Sequence, residues 1–249
     1  MKLMKLQIEN GVLCGDIPDS EWGGEEDWER FETLIVPEGV TEIKAGAFSG
    51  HPWLRKVIIP GTVRVIGAEA FRACRYLSEV EIGEGVERIG DEAFAFCCVC
   101  KSLRLPQQSL SYIGDRAFYA LRNAILDVPS SLTHLGKGAF SHTAIEKARI
   151  PGTLRAIPAH AFQDCAMLET VVLQEGVEAI DDEAFAGCQA LVELSLPATL
   201  KKIGRGAFEC AVEVMDDGRV YPPFLLPSRD VVIEDEWFKY VAETYDRYK

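Results

Sequence analysis

The sequence predicts an α/β solenoid of about eight coils, and the spacing of one dipeptide is the main reason. Eight copies of Ala-Phe lie at intervals of 22 to 24 residues, and one further copy, Ala95-Phe96, is out of phase with them. A fixed period in the low twenties is typical of a solenoid in which each coil is one supersecondary unit and neighbouring coils complete one another's core. A short period-2 apolar pattern also precedes each Ala-Phe pair, which indicates a strand with one buried face. The eight phenylalanines are Phe48, Phe71, Phe94, Phe118, Phe140, Phe162, Phe185 and Phe208.

Each coil is predicted to begin with a short strand that runs parallel to its neighbours on the concave face. In the first coil Leu34 and Val36 occupy alternate positions, and Pro37 follows them. Proline lacks a backbone donor and would end strand pairing there. A second apolar pair, Val40 and Ile43, predicts another brief extended segment. After a turn, we expect a single helical or 3-10 turn that carries Ala-Phe inward, so that the rings of successive coils stack in the core.

Segments outside the repeat are predicted to close the ends of the solenoid. We assign residues 1–30 to an N-terminal cap with a hairpin and an acidic loop, residues 31–210 to the solenoid, and residues 211–249 to a C-terminal cap. A terminal coil would otherwise expose apolar surface and unpaired strand groups. The hairpin is expected to turn at Asn10-Gly11, a pair that favours tight hairpin turns.

The C-terminal cap is predicted to contain an amphipathic helix. Its apolar face would be formed by Ile233, Trp237, Tyr240, Val241 and Tyr248. We expect this helix to pack on the last coil. The alternative is that it docks into another protein, including a second copy of this chain, which would give self-association.

The coils share one consensus. Several read Ile-x-Ile-Pro-x-x-Val-x-x-Ile-Gly-x-x-Ala-Phe-x-x-Cys-x-x-Leu, and residues 57–77 and 171–191 follow it almost throughout. Over residues 31–210 the chain resembles the BspA-type leucine-rich repeat, found in bacterial surface and secreted proteins and in some protist surface proteins. The resemblance implies a leucine-rich-repeat solenoid that binds protein or matrix partners, with a role in adhesion. It also implies a cell-surface or secreted location; if Met1 is the true start, a cytoplasmic location is expected instead.

Charge disfavours two classes of partner. The net charge is −13, and residues 1–33 hold nine acids and three bases, whereas residues 211–249 hold nine acids and five bases. The coils between them are nearly neutral and lack the basic stripe that binding of nucleic acid or anionic lipid requires. No segment reaches the roughly 18 apolar residues of a membrane span. We therefore expect a protein partner, no nucleic acid and no membrane insertion.

Most of the cysteines occupy a recurring position in the repeat. Cys74, Cys97, Cys165 and Cys188 lie three residues after a repeat phenylalanine, and Cys210 lies two residues after one. Such cysteines are expected to be free thiols that pack as small buried hydrophobes. Disulfides between stacked neighbours are the less favoured alternative, because parallel side chains rarely present the required dihedral angle.

The Cys97–Cys100 segment, Cys-Cys-Val-Cys, is the one cluster in the sequence that could carry chemistry. A structural zinc needs four ligands, and no second C-x-x-C or paired histidine completes the set. Packing is the expected role, with an exposed reactive thiol and a metal ligand as alternatives. The four histidines, His51, His134, His142 and His160, lie in different coils at non-equivalent positions, and no catalytic motif occurs. We therefore expect no catalytic residue, no metal site and no cofactor.

Recognition is predicted at the outward position between the two buried residues of each first strand. Over eight coils this position reads Ile35, Ile58, Glu81, Arg104, Asp127, Arg149, Val172 and Ser195. One interpretation is a ladder of ion pairs that neutralises itself, each exposed pair contributing at most about 1 kcal/mol. The other is a recognition stripe on the concave sheet, in which Arg104 and Arg149 bind carboxylates. Its apolar contacts would come from Ile35, Ile58 and Val172.

These patterns predict a non-enzymatic protein-binding or matrix-binding module that uses its concave face. The competing hypothesis is an intracellular scaffold or a self-associating structural repeat protein. A further alternative concerns Ile35 and Ile58 alone. The N-terminal segment that contains Trp22, Trp28 and Phe31 could cover them.

Overall fold

The structure, a computed structural model, describes residues 6–16, 32–121, 128–211, 213–214, 220–221 and 231–234. Within these ranges there are twenty short strands and no helix. In chain order the strands are β1 (Leu6–Glu9), β2 (Val12–Asp16), β3 (Thr33–Ile35), β4 (Glu42–Ile43), β5 (Lys56–Ile59), β6 (Val65–Ile66), β7 (Glu79–Ile82), β8 (Arg88–Ile89), β9 (Ser102–Arg104), β10 (Tyr112–Ile113), β11 (His134–Leu135), β12 (Lys147–Ile150), β13 (Ala156–Ile157), β14 (Thr170–Leu173), β15 (Ala179–Ile180), β16 (Glu193–Ser195), β17 (Lys202–Ile203), β18 (Glu213–Val214), β19 (Val220–Tyr221) and β20 (Val232–Ile233).

The strands stack into a parallel β-solenoid. Seven turns have both of their strands within the described residues, and in one further turn the first-strand position falls at 122–127, outside them. The first strands form a four-stranded sheet, β3-β5-β7-β9, and a three-stranded sheet, β12-β14-β16. Leu34 lies opposite Val57, and Val57 opposite Val80, so residues one repeat apart become neighbours. The alternating pattern therefore buries one face of each first strand that the structure describes, as predicted.

The second strands form two sheets, which divide at the turn that contains Pro158. In the seven-stranded sheet, β1-β2-β4-β6-β8-β10-β11, the residue after each parallel strand donates its N–H to the preceding turn; Gly136 N lies 2.8 Å from Ile113 O. Pro158 occupies the same position after β13 and has no N–H. The ladder stops between β11 and β13 and resumes as the four-stranded sheet β13-β15-β17-β20.

The eight phenylalanines form one column through the core, as predicted. Consecutive ring centroids lie 5.2 to 5.7 Å apart, and every ring is buried. Most neighbouring rings are within 10° of parallel, but Phe140 and Phe162 are tilted by 23°. These two rings belong to the turns on either side of the division at Pro158. Close approach of the turns requires glycine at some positions, since a Cβ on Gly90 would lie 2.6 Å from Ala68 N.

The segment that carries Ala-Phe is not helical in the described turns, which corrects the predicted helical or 3-10 turn and the α/β class. Around Phe71, alternate N–H groups donate in two directions. Phe71 N lies 2.8 Å from Ala93 O of the next turn, whereas Arg72 N donates to Glu69 O of its own turn at 3.1 Å. A helix needs successive N–H groups to bond within the segment. Because alternate donors serve the neighbouring turn, the segment forms hydrogen-bonded turns instead.

Each of these segments contains two residues in the left-handed region, two positions before and two positions after the phenylalanine. Around Phe71 they are Glu69 (φ 56°) and Ala73 (φ 57°). Most residues at these positions are not glycine, and a side chain there costs about 1–2 kcal/mol. The hydrogen bonds between turns offset this cost, since Glu69 N and Ala73 N both donate to the next turn.

A hairpin lies at the N-terminal end of the solenoid. β1 and β2 pair antiparallel around Asn10 (φ 51°) and Gly11 (φ 80°), and β2 then pairs in parallel with β4. The hairpin therefore adds its strands to the second-strand sheet. Trp22, Trp28 and Phe31 lie outside the described residues, and the domain boundaries stay a prediction.

The last described strand at the C-terminal end corrects part of the predicted cap. Ile233, which the sequence places on a helical face, lies in β20 and pairs in parallel with Ile203 of β17. The other residues of that predicted face lie outside the described residues: Trp237, Tyr240, Val241 and Tyr248.

Candidate protein-binding surface

The outward residues of the first strands lie side by side, one per turn, and we call them the first-strand row. Parallel register brings consecutive members together, because each residue faces the residue one repeat further along. The described members are Ile35, Ile58, Glu81 and Arg104 in the four-stranded sheet and Arg149, Val172 and Ser195 in the three-stranded sheet. Asp127 lies outside the described residues.

Side chains of the row are accessible to solvent to different degrees. Ile35 is 55% exposed, which is unusual for an isoleucine and leaves apolar surface available for contact. Ile58 and Val172 are partly buried between their neighbours. The charged members of the row that are described, together with Ser195, are exposed.

Glu81 pairs with a residue of the preceding turn and not with Arg104. Lys56 Nζ lies 2.6 Å from Glu81 Oε1 and 3.1 Å from Glu79 Oε2, and the hydrogen bonds from these two carboxylates raise the pKa of Lys56. Within the described residues, Arg104 and Arg149 take part in no ion pair. The self-neutralising ladder is therefore not formed between Glu81 and Arg104, and the part of the row that the structure describes presents two guanidinium groups without an acidic partner.

A second row, which the sequence analysis missed, follows the outward residues of the second strands. Arg88, Tyr112 and His134 lie opposite one another in β8, β10 and β11. The Arg88 guanidinium carbon lies 3.8 Å from the Tyr112 ring centroid, and the Tyr112 and His134 rings stack at 4.2 Å with planes 7° apart. Cation–π and ring stacking of this kind stabilise the sheet face. This second row could have been recognised from the sequence, since all three residues occupy the same phase of the repeat.

Thiols of four of the five repeat cysteines lie in the core, whereas Cys210 is exposed, which corrects the prediction for that residue. Burial raises the pKa of Cys74 to about 12 and that of Cys165 to about 11, and it raises the pKa of Cys97 and Cys188 well above the usual range. The reactive form of cysteine is the thiolate. These residues therefore serve in packing, as the sequence predicts, and all of them are free thiols.

The Cys97–Cys100 segment does not present its C-x-x-C pair to solvent. Cys97 and Cys100 are buried, and burial raises the pKa of Cys100 to about 11. Only Cys98 of the three is exposed, and its Sγ lies 3.4 Å from Phe96 O. Across the described ranges, no group of three or more histidine, cysteine or acidic side chains could hold a metal ion. None of the described segments forms a helix with the length and apolarity that a bilayer crossing requires.

Comparison with known proteins agrees with the repeat geometry. The family model described as "BspA type Leucine rich repeat region" matches residues 27–142 and 97–214, with six copies. A leucine-rich repeat protein from Bacteroides ovatus is 25% identical, with a TM-score of 0.70 over 84% of this chain and 55% of that one. The T. pallidum leucine rich repeat protein is 26% identical, with a TM-score of 0.56 over 83% of this chain and 86% of that one. This chain thus spans about half the length of the Bacteroides ovatus protein. No curated protein matches the chain.

Proposed function

Because the chain belongs to the BspA-type leucine-rich repeat family, we propose that it is a non-enzymatic module that binds a protein partner through the first-strand row. Repeats of this family and fold are generally protein-binding modules without enzymatic activity. For this chain, we propose both the use of the first-strand row and the absence of catalysis.

The two arginines of the row favour a partner with acidic groups. Arg104 and Arg149 are exposed and, among the described residues, have no acidic partner. Arginine binds carboxylates through two parallel hydrogen bonds and is enriched at protein interfaces. We therefore expect the partner to present acidic side chains to this row.

Apolar members of the row favour a protein over a small charged ligand. Ile35 offers more than half of its surface, and Ile58 and Val172 add partly exposed aliphatic groups. Charged groups beside aliphatic anchors are typical of protein interfaces. The partner class that the family suggests is a host or matrix protein, which would make binding a step in adhesion. The alternative is an intracellular scaffold or a self-associating repeat protein.

Charge reversal tests the proposal. The partner captured by the wild-type chain is identified first, and its affinity is then measured for the double variant Arg104→Glu/Arg149→Glu. Loss of two charge-assisted contacts should weaken binding by at least about 30-fold. The melting temperature should change little, because both side chains lie on the surface.

A matched control separates a specific contact from a change in net charge. Lys44→Glu/Arg75→Glu alters the charge by the same amount at two exposed positions outside the row. This control should bind the partner as the wild type does. Undiminished binding by the row variant would rule out the first-strand row as the interface.

A further inference from the structure

A pocket of about 580 Å³ lies along the Ala-Phe turn segments, away from the strands that form the first-strand row. Its walls come from four consecutive turns, those of Phe94, Phe118, Phe140 and Phe162. A volume of this size suits a small molecule. None of its lining residues belongs to the first-strand row.

Two small residues create the pocket. Gly138 and Ser141 occupy the outward positions two before and one after Phe140. The equivalent positions hold Arg116 and Tyr119 in the preceding turn and His160 and Gln163 in the following turn. The turn of Phe140 therefore lacks the side chains that its neighbours carry, and those neighbours wall the gap.

The pocket carries charges of both signs, and among the described residues Asp91 and Asp115, like its two cations, take part in no ion pair. Among the described residues, the side chains of Arg116 and Lys137 form no ion pair and no hydrogen bond. The three acidic residues, in contrast, each accept one hydrogen bond: Asp91 Oδ1 from Asp115 N at 2.9 Å, Asp115 Oδ1 from Lys137 N at 2.8 Å, and Glu92 Oε2 from Arg72 Nε at 2.7 Å. The Arg116 guanidinium carbon lies 5.9 Å from the Tyr119 ring centroid, and an anionic group could pair with both cations.

The same carboxylates keep further acceptor capacity. A carboxylate has about four lone-pair sites, so Asp91 and Asp115 can still accept hydroxyl protons. Ser141 adds a hydroxyl group, and Gln163 donates through Nε2 to Glu183 at 2.9 Å, which leaves its Oε1 as an acceptor. A ligand with several hydroxyl groups would satisfy these acceptors. A small carboxylate without hydroxyl groups would not.

Tyr119 supplies a fixed aromatic wall. Its ring is held edge-to-face by Phe96 at 5.2 Å and by His142 at 5.1 Å. Tyr119 is half-buried, and the part of its side chain that lines the pocket offers apolar surface to a ligand ring.

We propose that this pocket binds an acidic monosaccharide of the hexuronic acid class. Arg116 and Lys137 bind the carboxylate, Asp91, Asp115 and Ser141 bind hydroxyl groups, and Tyr119 packs against the sugar ring. A neutral sugar leaves both cations unused. A simple carboxylate leaves the acceptors and the aromatic wall unused.

Calorimetric titration of the full chain with sodium glucuronate tests the proposal, with glucose and sodium acetate as comparison probes. Saturable binding of glucuronate is expected, with glucose and acetate at least about tenfold weaker. The double variant Arg116→Gln/Lys137→Gln should weaken glucuronate binding by at least about tenfold.

A second variant fills the pocket without breaking the turn. Gly138 has a φ of 61°, and Glu92 and Glu183 adopt φ of 51° and 55° at the equivalent position, so Gly138→Glu is compatible with the backbone. Its side chain would occupy the gap beside Arg116 and abolish glucuronate binding. Gly46→Glu, at the equivalent position of the first turn (φ 68°) and with no atom near its Cβ, should bind as the wild type does.

Three results would overturn the proposal. They are the absence of saturable glucuronate binding to the wild type, acetate binding as tight as glucuronate binding, and glucuronate binding that survives Arg116→Gln/Lys137→Gln unchanged.

Discussion

Cys74 Sγ donates a hydrogen bond to the backbone carbonyl of Phe48 in the preceding turn, across 3.1 Å. The same contact recurs along the solenoid: Cys97 to Phe71 at 3.3 Å, Cys165 to Phe140 at 3.1 Å and Cys188 to Phe162 at 3.2 Å. The repeat cysteine is therefore a donor between turns as well as a packing residue. This role explains why a thiol suits a position where an aliphatic side chain of similar size would leave a carbonyl with fewer partners.

Buried thiols should make the chain less stable in alkali. The pKa of Cys74 is about 12 and that of Cys165 about 11 in the native state, whereas a thiol in the unfolded chain titrates near 8.5. A raised native pKa means that the stabilising contribution is complete below the unfolded pKa and is lost as the pH rises through the native pKa. Each thiol can lower the free energy of unfolding by up to about 1.4 kcal/mol per pH unit in that window.

Urea unfolding between about pH 8 and pH 11 measures this loss. The double variant Cys74→Ala/Cys165→Ala should be less stable at neutral pH but should show a shallower decline above pH 9, roughly where the unfolded thiol ionises. A decline as steep as that of the wild type would show that other groups cause the alkaline loss.

The stacked rings predict a large cost for removing one of them. Phe118 is fully buried between Phe94 and Phe140, with ring centroids 5.7 and 5.3 Å away. Phe118→Ala should lower the free energy of unfolding by about 3–5 kcal/mol, because it leaves a cavity in the middle of the column.

Phe96→Ala is the comparison for this experiment, since Phe96 is 37% exposed and lies outside the ring column. Its cost should be about 0.5–1.5 kcal/mol, the range for loss of an exposed aromatic pair. If a denaturant titration gave similar losses in free energy of unfolding for the two variants, the buried ring column would not be the main source of stability.

Glycine in place of a residue with a left-handed backbone conformation should stabilise the chain. Ala73 has a φ of 57°, and its N–H donates to Ala95 O at 2.8 Å, a bond that glycine would keep. Glycine avoids the steric cost of this region but has more freedom in the unfolded chain. Ala73→Gly is therefore expected to raise the free energy of unfolding by about 0.5–1 kcal/mol.

Ala45→Gly provides the opposite case. Ala45 is exposed and lies outside the positive-φ residues, so the added freedom should lower stability by about 0.5–1 kcal/mol. Thermal unfolding of both variants checks the difference in sign. Equal destabilisation would mean that the backbone conformation at Ala73 carries no strain.

The repeat itself could be predicted because it depends on side chains that recur at a fixed spacing. Phe48 to Phe208 mark one buried column, and alternation such as that of Leu34 and Val36 marks the buried face of each first strand. The family follows from the same residues, and the matched region confirms it.

The turn conformation could not be predicted in this way. Ala-Phe with small neighbours is compatible with a helical turn, and the competing hydrogen bonds, such as that from Phe71 N to Ala93 O, join residues 22 positions apart. Likewise, the outward positions could be identified by their phase, but the pairing of Glu81 with Lys56 depends on side-chain reach between turns. The binding role of the row stays a prediction.

Pro158 also gives the molecule a weak junction. In stacked repeats, local opening spreads from an end until it meets the poorest contact between neighbours. Between the turns of Phe140 and Phe162 the second-strand ladder is interrupted and the rings are tilted by 23°, although Phe140 N still donates to Ala161 O. We therefore expect the C-terminal block to unravel while the N-terminal block stays intact, so that one continuous column of rings joins two tandem folding units.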